Sequence, residues 1–123
     1  MNHWLVGASW DGENVDEKFV ENGYWMFGYA KGDKEKAQRL YAEQIKKGDR
    51  LAIKRMSGPG VMKIIHIGTV TGFVEDTPYV ICQVNWTDTY MERKVACNGY
   101  CKTIHKPIDI NDTWAQEIFA PKE

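Results

Sequence analysis

Arg50–Thr71, RLAIKRMSGPGVMKIIHIGTVT, reads as two strands joined by a tight turn. Ser57–Gly60 (SGPG) can extend neither a helix nor a ladder, and no Lys-Ser or Lys-Thr follows it, so it is a hairpin turn and not a phosphate loop. The strand before it covers Arg50–Met56. The return, Val61–Thr71, is β-branched and the longest strand, with Gly68 marking a bulge or a close backbone approach. Downstream, Asp76-Thr77-Pro78 turns the chain into Tyr79–Trp86, where Val80, Cys82, Val84 and Trp86 alternate with Tyr79, Ile81, Gln83 and Asn85. A weaker strand spans Glu92–Cys97. Thr113–Phe119 is a short helix, capped by Asp112 or Thr113, with Trp114, Ile118 and Phe119 turned inward.

Upstream, His3–Ala8 (HWLVGA) is an apolar run with the character of a buried strand. Asn14–Glu21 reads as a helix with Asn14 as cap and Asn22-Gly23 as stop. A second helix is expected from Asp33 to about Lys47, with Ala37, Leu40, Tyr41, Gln44 and Ile45 at helical spacing and Gly48 as its stop. Strand, helix, helix and then strands in succession define an α+β chain, and short strands bounded by turns suggest a small barrel. The 123 residues suit one domain, expected over 1–119, with 120–123 left to fray.

No apolar run approaches the roughly 18 residues of a membrane helix, and the N-terminus carries no signal pattern, so a cytoplasmic location without membrane contact is expected. Three cysteines at uneven spacing fit reduced thiols and not a disulfide framework. The net charge of −1 hides a segregation: −4 over residues 1–30, +6 over 31–63 and −3 over 64–123. A near-neutral chain does not coat nucleic acid by charge alone, but the middle third can contact phosphates.

The chemistry that chain order suggests is sparse. Cys97, Cys101 and His105 have a C-x3-C-x3-H spacing, which matches no familiar zinc site and leaves the fourth ligand to distant residues, so no metal is expected. Ser9 lacks the following glycine of a nucleophile elbow, His66 lies among apolar neighbours as a structural imidazole, and the paired acids sit in loops. No catalytic set and no cofactor are expected, and the chain is read as a non-enzyme. The aromatic residues remain. Trp4, Trp86 and Trp114 fall on strand or helix faces, as core residues do. Trp10 and Trp25 do not. They lie in GASWDG (7–12) and NGYWMFGY (22–29), read as two sides of one pocket for a flat ring, a nucleobase taken out of its stack being the preferred occupant.

WLVGASWDG, FVENGYW, KKGDRLAIKR, IGTV and VNW, in that order from Trp4 to Trp86, resemble the EVE branch of the PUA superfamily, and within it the N-terminal domains of McrB-type restriction proteins. That branch is similar in architecture to the YTH modified-base readers. The resemblance implies a small, strongly bent β-barrel with two to three helices packed outside and a pocket for a flipped, modified base of DNA. It implies that Ser9, Trp10, Tyr24, Trp25 and Met26 line that pocket, and that Trp25→Ala abolishes selective binding while sparing the fold. Lys54 and Arg55, with Lys46, Lys47 and Arg50 of the basic third, are expected at the nucleic-acid backbone. The hairpin at SGPG is shorter than in the McrB-like domains, and no motor or nuclease domain follows, which leaves two readings open: a standalone reader, to which a motor or nuclease could be a separate partner, or one domain of a longer product. The rival readings are an RNA-binding PUA-like domain, a small ASCH-type hydrolase of RNA or modified nucleosides using Ser9, Asp11 and Lys54, and a protein-interaction module.

Overall fold

A computed structural model describes residues 1–122. Its sheet is built on β6, Val61–Phe73, which serves two neighbours along one edge. Strand β5 (Arg50–Met56) runs antiparallel along its other edge and leads into the turn at 57–60, where Gly58 and Gly60 take positive φ. On the shared edge, Val61–Ile64 pairs with β8 (Arg93–Ala96), and Ile67–Phe73 pairs with β7 (Ile81–Asp88). The register slips at Ile67/Gly68, where a Cβ on Gly68 would meet Asn85 O at 2.7 Å. This bulge and a second at Val70/Gly72 bend the sheet. Strand β1 (His3–Gly7) joins β5 in parallel, and β4 (Tyr24–Met26) joins β7, giving the order β1-β5-β6-β7-β4. The fold is a small α+β bent barrel.

Consecutive apolar residues are explained by burial on both faces. Trp4, Val6, Leu51, Ile53, Val70, Cys82 and Val84 enter one core with Phe19, Trp25 and Phe27, while Leu5, Ala52, Met62, Ile64 and Ile67 enter a second. Helix α3, Thr113–Phe119, closes the second core through Ala115 and Ile118. Asp112 stands at its N-cap position without a side-chain cap bond. The outer edge of β1 is covered by the segment 103–108, through Gly7 N–H to Thr103 O and bridges to Ile104 and Ile108.

Both early helices are shorter than their periodicity suggests. Helix α1 is Asp16–Asn22, since Asn14 belongs to a strand and Val15 takes the cap position; Gly23, at φ 70°, ends it as expected. Helix α2 is only Lys36–Ala42, because the turn at 31–34 and a left-handed Glu35 delay its start. Its inner residues are Gln38 and Ala42, whereas Leu40 is exposed. Over 120–122 the tail lies against the barrel: Arg93 donates to the carbonyls of Ala120 and Pro121, and Lys122 donates to Asp88 Oδ2 and Thr89 O. Residue 123 lies outside the described residues. No described helix is long and apolar enough to cross a membrane.

Candidate functional site

Trp10 is placed by a two-residue hairpin. Strands β2 (Ser9–Trp10) and β3 (Glu13–Asn14) pair across Asp11 and Gly12, both at positive φ, the geometry that an Asp-Gly turn favours. The half-buried indole packs edge-on against Phe19 of α1, ring centres 5.8 Å apart. Its other side lies on the main chain at Gly28, where an added Cβ would come within 2.9 Å of Trp10 Nε1. Tyr29 follows. Its carbonyl accepts from Arg39 Nη1 of α2, which also holds Pro78 O, and its ring packs 5.5 Å from Phe27.

Ser9, Trp10 and Asp11 from the first stretch, and Gly28 and Tyr29 from the second, line one cavity of ≈ 160 Å³ with Thr103. Ser9 and Thr103 also border a second cavity, ≈ 290 Å³, whose cationic lining residues are Lys54, Arg55 and Lys102. An aromatic pocket and a basic one thus adjoin.

The indole N–H groups separate structural tryptophans from the remaining one. Trp4 donates to Asp49 Oδ2, Trp25 to Gly7 O, Trp86 to Phe19 O and Trp114 to Ala96 O. Trp10 Nε1 finds no acceptor among the described residues, and on this half-buried side chain the N–H stays open to water or a ligand.

Three residues expected in the pocket lie elsewhere. Trp25 is fully buried, because β4 is a paired strand whose alternation turns Tyr24 and Met26 out and Trp25 into the core. Tyr24 packs on Phe19 at 5.0 Å, and neither it nor Met26 lines either cavity. The expected backbone cations divide as well. Lys46 and Lys47 are exposed in the turn before β5, and Arg50 begins that strand; Lys54 and Arg55 stand four to five residues further, about 13–17 Å along it. Lys54 is also buried, with its ammonium donating to Tyr100 O and burial pushing its pKa down to about 8. Gly28 and Tyr29 close the stretch 22–29 that was expected to form one side of the pocket, whereas Lys102 and Thr103, at the entry to the segment over β1, were not expected there. The proposed hydrolytic trio is split: Asp11 reaches only the aromatic cavity and Lys54 only the basic one.

Arg55 is aimed by a buried network. Its Nη2 and Nε donate to Asp16 Oδ1 at 2.7 and 3.2 Å, and Nη2 also reaches Oδ2 at 2.9 Å. His66 Nε2 lies 2.7 Å from Asp16 Oδ2, while His66 Nδ1 accepts the Tyr90 N–H at 3.0 Å. That acceptance fixes a neutral imidazole with its proton on Nε2. Burial lowers the His66 pKa and outweighs Asp16; burial pulls Asp16 upward, but Arg55 and His66 outweigh it and leave its carboxyl below the usual value. Below pH 6.5 an unfolded His66 takes a proton that the folded site resists, and below about 4 an unfolded Asp16 does likewise. Both contributions to stability are therefore present above these values and are lost as pH falls. Denaturant midpoints should fall from pH 7.5 to 5.5, and His66→Gln should flatten the slope; an unchanged slope would show that His66 does not carry it.

Elsewhere, His105 Nε2 accepts the Lys102 N–H and its ring packs on Tyr100, and the described residues gather no group of three His, Cys, Asp or Glu side chains fit for a metal. A larger groove of ≈ 730 Å³ lies between residues 90–93 and the tail, but its Arg93 is engaged by four carbonyls.

These features define a class: a small α+β bent-barrel domain with a ring-sized aromatic pocket beside a basic one. No protein-family model matches the chain, and no curated protein matches it significantly in sequence.

Proposed function

We propose that the chain is a non-enzymatic reader that takes a modified, methylated base of DNA, flipped from its stack, into the cleft formed by Trp10 and Tyr29. The observation that carries the reading is Trp10, the one indole with no structural acceptor among the described residues, in a pocket of ≈ 160 Å³ beside a basic cavity. That volume is about half the lower end for drug-sized ligands and suits a single flat ring. A methyl group packed against the rings favours the modified base by roughly 1–3 kcal/mol. Flipping costs a few kcal/mol, so phosphate contacts must add affinity, and Arg55 and Lys102, beside the buried Lys54, are cations lining the neighbouring cavity.

The test is a titration of matched DNA oligonucleotides, with and without methylated cytosine or adenine, at two salt concentrations, repeated with RNA. One modification should bind selectively, and the selectivity should survive higher salt. Trp10→Ala should weaken that binding roughly ten- to a hundredfold, the loss of one base–aromatic stack. Lys102→Ala should weaken all sequences alike and reduce the salt slope by about one. Equal, salt-labile binding to every oligonucleotide would defeat the reading, and tighter binding to RNA would replace DNA as the ligand.

A further inference from the structure

Cys97 and Cys101 stand apart from the reader cleft's chemistry, and only Cys101 reaches the basic cavity beside it. Cys97 directly follows β8 and is 3% exposed, whereas Cys101 is exposed and lines the basic cavity. Their sulfurs lie 3.2 Å apart. Residues 98 and 99, both at positive φ, turn the chain so that the two thiols face each other. A disulfide requires about 2.05 Å, so the sulfurs need close by only about 1 Å. Lys54 holds the Tyr100 carbonyl within the same turn, and its positive charge favours the thiolate form of Cys97, although burial leaves that thiol's pKa raised. An exposed thiol beside a buried one is the arrangement of an attacking and a resolving cysteine.

We propose that Cys97 and Cys101 are a peroxide-reactive dithiol, a modification site that closes into an intramolecular disulfide. The Cys101 thiolate attacks a peroxide: an S–O bond forms, the O–O bond breaks, and the leaving oxygen departs as hydroxide or alkoxide. The sulfur is oxidised by two electrons and the peroxide is reduced by two. Cys97 sulfur then attacks the Cys101 sulfenic acid, the S–S bond forms, the S–O bond breaks, and water leaves with the Cys97 proton. The closed turn carries Tyr100, the anchor of Lys54, and leads directly into Lys102 and Thr103 of the cleft. Cys82, fully buried and with its thiol pushed up to about 12, stays outside this chemistry.

The experiment treats the reduced full chain with hydrogen peroxide, then denatures it in a maleimide and measures intact mass and peptides. Maleimide uptake should fall from three thiols to one, at Cys82, with the underivatised protein lighter by two hydrogen atoms and peptide fragments joined through Cys97 and Cys101. Cys97→Ser should instead accumulate a sulfenic acid at Cys101 that dimedone captures. Because Cys101 is exposed, Cys101→Ser keeps the fold and should retain both remaining thiols after peroxide. Three labelled thiols after treatment, Cys101 driven to sulfinic acid while Cys97 remains labelled, or a disulfide only between two chains would overturn the proposal. None of these readouts depends on nucleic-acid binding.

Discussion

Trp25→Ala is expected to lower the unfolding free energy by about 3–5 kcal/mol, the usual cost of removing a large buried aromatic. The residue is fully buried, and its indole N–H donates to Gly7 O at 3.0 Å, so one side chain links edge strand β4 to edge strand β1. Truncation leaves a cavity and an orphaned carbonyl together. Against a typical domain stability of about 5–15 kcal/mol, the variant should unfold at a much lower urea midpoint. Trp25→Phe, which keeps a ring and loses the N–H, should fall between the two. A variant with an unaltered midpoint that no longer binds its oligonucleotide would return Trp25 to the pocket and displace Trp10 from its assigned part.

Asp16→Ala should cost a similar amount, about 3–5 kcal/mol, for a different reason. The carboxylate is 1% exposed and is the shared partner of Arg55 and His66, two groups on neighbouring strands β5 and β6. Its removal leaves His66 Nε2–H, itself fully buried, without an acceptor, and frees the guanidinium that lines the basic cavity. Asp16→Asn keeps one acceptor and discards the charge, so it should recover part of the loss. Chemical denaturation of the three proteins at pH 7.5 checks the order. A loss below about 1 kcal/mol for Asp16→Ala, the range of a solvated surface pair, would show that the network does not hold α1 to the sheet.

What could be read from the sequence was local. The run Arg50–Met56, the glycine turn and the alternation through Cys82, Val84 and Trp86 each carry their own periodicity, and the strands and exposed faces follow it. Thr113–Phe119 is equally self-contained. Three residues, Tyr24–Met26, are too few to show a period of two, so β4 was hidden and Trp25 looked like a loop residue. The Asp11-Gly12 hairpin was legible as a two-residue turn signal and would have fixed the direction of Trp10. Thr103 and Lys102 reach the cleft only because 103–108 lies along β1, a pairing across about a hundred residues that no local pattern encodes. The helical spacing at Leu40 misled because the helix covers only Lys36–Ala42, after a left-handed Glu35, and buries Gln38 and Ala42 while Leu40 faces outward.

Strand β1 lies between β5 and the 103–108 segment, with His3 opposite Arg50 on one side and Ile108 on the other. Strand β1 therefore has no complete slot until β5 and the 103–108 segment, both later in the chain, have been made. During that interval HWLVGA is an apolar, hydrogen-bond-ready edge, the kind of segment that pairs wrongly when it waits. Synthesis order and assembly order thus run against each other in this barrel, and its vulnerable moment falls before folding, at a strand made ahead of both its neighbours.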